Sequence, residues 1–368
     1  MAKPVQAQIF PRFDWILALL VAMLMGIGLM NLYSSSMALG EDLYITQGVW
    51  LGLGLGLVTA SSLLDYRTYE RWAYIVYGAV VFLLILVMVV GTRLNGAQRW
   101  LNFGFFMLQP SELMKPAIIL VTARYFSDLP HKVDGNDLKD LIRPMMLLFV
   151  PSSLIMLQPD LGTSLMVIFI FFTMVLFEGM KARTIVGMGI TTILSAPLAW
   201  SFLLKDYQKQ RILSFLDLEK DPYGPGWQVR QSLIAFGSGG IAGKGYLDGT
   251  QVQMGFVPYH ESDFAAVNWA EEHGFIGMMV LIGLYTALIG WSLHIARSSR
   301  DRFGMLVAVG VAAMIFWHVF VNLGMVLGML PVVGLTLPLV SYGGSSVITV
   351  MLGIALLVNI SIRRHLLR

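Results

Sequence analysis

The sequence reads as an all-α protein: a polytopic membrane helical bundle of about ten transmembrane helices with one long extracytoplasmic loop. Its composition, the length of its apolar runs and the placement of its basic residues each lead there. Of 368 residues, 57% are hydrophobic and 13% charged, where an ordinary soluble domain carries about 25% charge. Apolar runs of about 20 residues, the length a helix needs to cross a bilayer, follow one another along the chain. Lys and Arg collect in alternate short loops, as membrane topology requires. Residues 1–368 are therefore expected to form a single multi-pass membrane domain, with little room for a separate soluble catalytic unit. The net charge of +3 lies mostly in those loops, so nucleic acid is not an indicated partner. Without cysteine there is neither a disulfide framework nor a thiolate metal site.

The first apolar run follows Lys3 and Arg12 and ends in Ser34-Ser35-Ser36. From Trp15 to Tyr33 it is longer than the roughly 7 to 15 residues of a signal h-region, so it is read as an uncleaved span. Hydropathy places spans near 14–34, 44–64, 72–92, 106–126 and 144–158. Five more lie near 160–178, 184–204, 273–295, 304–328 and 335–361, with Pro159 dividing the fifth from the sixth. With the N-terminus inside, one face holds Lys3, Arg12, Arg67, Arg71, Arg124, Lys132, Lys139, Arg143, Lys181, Arg183, Arg297, Arg300, Arg302, Arg363, Arg364 and Arg368. The opposite short loops hold only Arg93 and Arg99. Both termini are thus expected in the cytoplasm and the long loop, 205–272, outside. Pro222, Pro225, Pro258 and many glycines break that loop into turns and short helices, and a loop of this length usually carries function.

Two glycine patterns resemble nucleotide motifs and are set aside. Gly52-x-Gly54-x-Gly56 lies within a span, where small residues permit close helix packing. The stretch Gly237 to Gly245 departs from a P-loop at Ser238 and Gly245; its amides suit a phosphate, while a flexible turn is the plainer reading. Glu112 and Lys115 share a helix face in the fourth span. An intramembrane pair is a functional candidate, or a register-fixing ion pair. Asp160, after Pro159, is either a helix cap or part of a second polar site. Gln109-Pro110-Ser111-Glu112 and Gln158-Pro159-Asp160 echo one another. Arg93 and Arg99, flanking Asn95-Gly96-Ala97, face an anionic headgroup or simply snorkel.

The segment Pro258-Tyr259-His260-Glu261-Ser262-Asp263-Phe264, with Glu271 and Glu272 beyond it, is the richest. Carboxylates beside an apolar wall suit general-base work on a hydroxyl, because desolvation raises their pKa; most loop acids are merely solvated. The spacing of His260, Glu261 and Asp263 is also compatible with a divalent ion, without being specific for one.

Gln158 to Ser164, Ile234 to Gly240 with Gly243-Lys244-Gly245, and Pro338 to Ser346 resemble the signature stretches of the SEDS family (shape, elongation, division, sporulation), as do Asn95 to Leu101 and Gln109 to Lys115. They occur in the family's order over most of the chain, and Gly249-Thr250-Gln251 is similar to the RodA-type, elongation branch. The resemblance implies a peptidoglycan glycosyltransferase. It would polymerise lipid II, the lipid-linked disaccharide-pentapeptide, at the outer face of the bacterial cytoplasmic membrane, in cell elongation and rod shape. A class B penicillin-binding protein and other elongation-complex proteins are the implied partners. By position, Asp263 takes the place of the family's essential loop aspartate, and Glu112, Lys115 and Asp160 those of its intramembrane polar residues. The common family pattern there is Pro-Glu-x-His-Thr-Asp-Phe; here Tyr259 follows Pro258, and Glu261-Ser262 replace His-Thr. His273 stands where leucine is usual.

On this reading Asp263 deprotonates an acceptor-sugar hydroxyl, which attacks the donor's anomeric carbon with inversion and expels undecaprenyl diphosphate. Lys115, Arg99, Arg211 and Lys244 are candidates to stabilise the diphosphate charge, with a divalent cation such as Mg as a further candidate. Two other functions suit the same residues: a lipid II flippase, using Glu112, Lys115 and Asp160 as a headgroup path, and a non-catalytic membrane scaffold.

Overall fold

The computed structural model describes residues 13–94, 97–104, 106–132, 134–204, 206–217 and 224–363. Lys3, Arg12, Asn95, Gly96, Pro222, Arg364 and Arg368 lie outside the described residues. In chain order the helices are α1 (Trp15–Leu39), α2 (Leu43–Leu63), α3 (Tyr66–Val90), α4 (Pro110–Ser127), α5 (Leu138–Leu157), α6 (Leu161–Glu178) and α7 (Ala182–Leu198). A π-helical turn, Ala199–Leu203, continues α7. Then come α8 (Asp206–Leu216), α9 (Pro225–Ser238), α10 (Thr250–Gln253), α11 (Ala265–Ser298), α12 (Arg302–Val326) and α13 (Gly344–Arg363).

Among the described residues nine of these helices are long and apolar enough to cross a membrane. The expected fourth span, α4, is a helix of 18 residues that carries Glu112, Lys115 and Arg124, which keeps it out of that group. It is nonetheless buried without a break from Pro110 to Ala123 except at Leu113, packed by α3, α6, α12 and α13. The bundle therefore surrounds one polar central helix with apolar ones, the arrangement lipid demands of charged side chains. Outward-facing large apolar residues, such as Phe82, Val89, Phe149 and Ile193, form the face that hydrocarbon covers. The spanning window of α7 is unburied and stands outside the bundle.

Three expected boundaries are corrected. Residues 92–108 form a small antiparallel sheet, β1 (Thr92–Leu94), β2 (Ala97–Asn102) and β3 (Met107–Leu108), in that spatial order. The fourth span thus starts at Pro110, a residue suited to a first helical turn, and not at 106. The eighth starts at Ala265, eight residues before its expected position, and is broken at Gly274 (φ 62°, ψ −158°). The last starts at Gly344, because Pro331, Gly334 and Pro338 hold 331–340 out of a helix. Non-helical backbone at membrane depth needs partners within the protein, and this segment has them: Asn322 Nδ2 donates to Leu335 O at 2.6 Å, and Gln47 donates to Ser341 O at 3.0 Å and accepts from Gly343 N at 3.3 Å.

On the face opposite the long loop, ion pairs fix the connections. Asp137 accepts from Lys181 and Arg183, which holds its carboxyl down at about 2. Arg302 pairs with Glu178. Buried Asp14 caps α1 at Leu17 and accepts from Trp291 and Ser361, tying α1 to α11 and α13.

Candidate functional site

Asp263 is the second-last residue of a turn that links α10 to α11, its position set by Asn322 of α12, whose Nδ2 donates to Asp263 O at 2.8 Å. The same amide group holds Leu335 O, so one residue anchors both the turn and the non-helical segment 331–343. Gly334 (φ +73°) passes so close that a Cβ built there would lie 3.3 Å from Asp263 Oδ2. Asp263 as a residue is half-buried. Burial first, then neighbouring Glu261, raise its pKa to about 6; Arg211 counteracts, and Asp160 adds to the rise. Asp263, Glu261, Arg211 and Asp160 are thus within electrostatic reach of each other's site.

Arg211, on α8, donates to Val332 O at 3.1 Å. Arg99, on β2, donates to Gln158 O at 3.0 Å and to Pro159 O, and its Nη1 is 3.9 Å from Asp160 Oδ1. Asp160 is both a cap and a hub. It accepts from Thr163 N at 3.2 Å as the N-cap of α6, while its Oδ2 accepts from Gln109 at 3.0 Å and Ser111 at 3.3 Å. The two Gln-Pro-acid echoes therefore meet in space, each opening a helix.

Glu112 and Lys115 form a buried pair at 2.6 Å. The ammonium also lies 2.9 Å from His318 Nε2, and Lys115 has no surface exposure. This pair sits within the bundle, closed off from the surface. Glu112 Oε2 is buried without a hydrogen-bond partner.

Lys244 is elsewhere. Its Nζ is 2.5 Å from Glu271 Oε1 and 2.8 Å from Thr250 Oγ1, two turns along α11 from Asp263. Glu271 also accepts from Gln251 N at 2.8 Å and Val252 N at 3.1 Å, capping α10. The glycine-rich stretch is neither a phosphate cradle nor a free turn. Lys244 N donates to Glu271 O at 3.0 Å, Gly245 N to Glu272 O at 3.1 Å, and Gly240 O and Ile241 O accept from Phe275 N and Ile276 N. The loop thus satisfies the backbone of α11 where Gly274 breaks it. An added Cβ at Gly243 would come within 2.1 Å of Glu272 O, and one at Gly274 within 2.3 Å of Gly243 N. Close approach is why these positions are glycine.

His260 turns away from the acids: Nδ1 donates to Val257 O at 2.7 Å, and the ring is buried. Among the described residues no group of three or more His, Asp or Glu side chains is arranged to hold a metal ion. The donor set does not fit the divalent ion that the spacing of His260, Glu261 and Asp263 allowed.

The family model described as the FtsW/RodA/SpoVE cell cycle protein matches residues 14–366. The chain belongs to this family. Within the FtsW/RodA/SpoVE family it is 41% identical over 320 residues to peptidoglycan glycosyltransferase MrdB of Escherichia coli strain K12, covering 86% of this chain and 85% of that protein. It is 38% identical over 365 residues to the protein of the same name from Helicobacter pylori strain J99, covering 98% and 92%. A chain solved in a peptidoglycan synthase complex, in work on the coordination of polymerization and crosslinking, superposes with a TM-score of 0.83 at 35% identity, covering 96% and 98%. The rod shape determining protein RodA of Thermus thermophilus gives 0.71 at 32% identity, with the same coverage. Like these family members, the chain is a multi-pass membrane protein.

Sequence reasoning missed His318, Asn322 and Gly334. The signal for the first two was present: an imidazole and an amide four residues apart in an otherwise apolar span are costly and imply partners. Gly334 gave none, since its role depends on which carboxylate the fold places beside it.

Proposed function

We propose that this FtsW/RodA/SpoVE family member is a peptidoglycan glycosyltransferase that extends glycan strands from lipid II during cell elongation, with Asp263 as general base. The observation that carries the reading is the half-buried Asp263 carboxyl, raised to about 6 by burial and by Glu261, with the Arg211 charge in reach and its backbone carbonyl held by Asn322. A base poised near the working pH combines the ionised state with a real drive to take a proton.

In the proposed step, Asp263 accepts the proton of the acceptor sugar's 4-hydroxyl as that oxygen bonds to the donor's anomeric carbon. The bond from that carbon to the diphosphate breaks on the opposite face, which inverts configuration and releases undecaprenyl diphosphate. Negative charge then grows on the leaving phosphate, and Arg211, whose charge acts on Asp263, and Arg99, 3.9 Å from Asp160, are the cations assigned to meet it. Both are already anchored through backbone carbonyls, so little reorganisation is needed. Lys115 and Lys244, engaged elsewhere, are not assigned to it. Undecaprenyl chains would lie along the apolar helix faces exposed to lipid.

The same reading places the chain in the bacterial cytoplasmic membrane, with both termini inside and the segment from α8 to the start of α11 outside. A class B penicillin-binding protein would crosslink the strands within an elongation complex. The test is purified protein with that partner and lipid II, resolved on a gel for glycan strands. Wild type is expected to give polymer, and Asp263→Ala or Asp263→Asn to lose it by at least about a thousandfold while still inserting in membranes. Polymer from Asp263→Ala at near wild-type rate would overturn the assignment. Lipid II crossing liposomes with no polymer formed would favour a flippase.

A further inference from the structure

Lys115 invites a direct role on an anionic substrate, yet its surroundings argue for an indirect one. The ammonium is fully buried and can only donate; it is 2.6 Å from Glu112 Oε1 and 2.9 Å from His318 Nε2. His318 Nε2 must therefore present its lone pair. The other ring nitrogen, Nδ1, is 3.1 Å from Thr336 O, and a carbonyl can only accept, so Nδ1 carries the hydrogen. Both contacts demand the same species, a neutral imidazole protonated at Nδ1. A protonated ring would have no lone pair for Lys115, and the other tautomer would point two donors at each other and leave Thr336 O unmet.

Thr336 belongs to the non-helical segment that shapes the wall beside Asp263. Its neighbour Leu335 is held by Asn322, which lies four residues from His318, about 6 Å along α12, and also holds Asp263 O. Two polar residues on one face of α12 thus fix residues 335 and 336, and Gly334, next in line, runs so near the Asp263 carboxyl that a Cβ added there would lie 3.3 Å from Oδ2. Thr336 Oγ1 is 2.7 Å from Ser346 Oγ at the start of α13, which ties the same segment to a third helix.

We propose that His318 is a positioning residue for the glycosyl-transfer site, and that Lys115 acts through it. Lys115 fixes the His318 tautomer, His318 fixes the Thr336 carbonyl, and the segment so held keeps Gly334 against Asp263. The kinetic part rests on the glycosyltransferase reading; the tautomer does not, and it is measured separately.

The test joins a spectrum to a pair of substitutions, on the full chain. In 15N-histidine-labelled protein, the His318 signals are identified by their loss in His318→Gln. They are expected to show protonated Nδ1 and unprotonated Nε2; the reverse tautomer or an imidazolium overturns the proposal whether or not polymer is ever observed. His318→Asn places an amide N–H where Nδ1 stands and keeps the bond to Thr336. His318→Gln places its amide oxygen where Nε2 stands and keeps the bond to Lys115. With the crosslinking partner and lipid II, His318→Gln is expected to lower kcat by at least about tenfold, with KM within about twofold, and His318→Asn to lose less. The opposite order, or a raised KM at unchanged kcat, which marks lost ground-state binding, would overturn it by making Lys115 the direct substrate contact. A wild type with the expected spectrum and no polymer would sink the functional reading while leaving the tautomer lock intact.

Discussion

At the scale of single residues, Asp263 is held in a state that costs stability and that suits the base proposed for it. Its folded pKa of about 6 lies above the ordinary 3.8, so the fold disfavours the ionised form. The penalty is absent below the ordinary value, grows as pH rises, and is complete above about 6; by linkage it is on the order of 1–3 kcal/mol. Asp263→Asn should therefore be more stable to heat than wild type at pH 7.5, with the gain vanishing toward pH 4, even as polymer formation is lost. Equal or lower stability at pH 7.5 would show that the carboxylate is not penalised. This residue was legible in the sequence as an acid beside an apolar wall, but its surroundings were not. Arg211 precedes it by 52 positions and Gly334 follows it by 71, and no local pattern joins them. Glu112 and Lys115 were legible as a pair through their spacing; their third member, His318, comes from another helix.

At the scale of elements, the break in α11 and the glycine loop that fills it form one device. Gly274 adopts φ 62° and ψ −158°, a region nearly closed to other residues, and the amides it frees bond to residues 240 and 241. Gly274→Ala and Gly243→Ala each combine a positive φ with a clash against backbone. Each should cost at least about 3 kcal/mol, measured as lost thermal stability and a lower yield of monodisperse protein. Gly283→Ala, in the same helix with open space around it, is the control expected to change little. Hydropathy located the spans but not their ends, because helix ends here are decided by tertiary pairing. The 331–343 segment is rich in apolar residues, and Pro and Gly marked it; residues 92–108, with Arg93, Gln98, Arg99 and Asn102, read as a loop whose strand pairing was hidden. The glycine loop looked like an anion cradle because sequence displays its amides but not the carbonyls that occupy them.

At the scale of the whole molecule, composition alone was decisive for the class. A chain this poor in charge has to bury its backbone polar groups in helices, and the apolar spans do so around a polar centre, α4. That centre is less apolar than the other spans because it carries Glu112, Lys115 and Arg124, of which Glu112 and Lys115 pair inside the bundle. The proposed orientation rests on the placement of Lys and Arg and is open to a clean experiment, since the chain has no cysteine. Asp248→Cys, on an exposed turn of the long loop, should react with an impermeant maleimide added to intact spheroplasts. Ala182→Cys, exposed at the start of α7, should react only after lysis. The reverse pattern would place Asp263 on the cytoplasmic side, where no extracytoplasmic polymer could form.

The pH dependence of strand synthesis by wild-type protein with its crosslinking partner bears hardest on Asp263 as the base. Log kcat/KM, which reports ionisation of the free protein, should rise with unit slope below a break near pH 6 and stay level from there to pH 8. A rate unchanged from pH 4.5 to 8, or a break at the ordinary carboxylate value near 4, would contradict it.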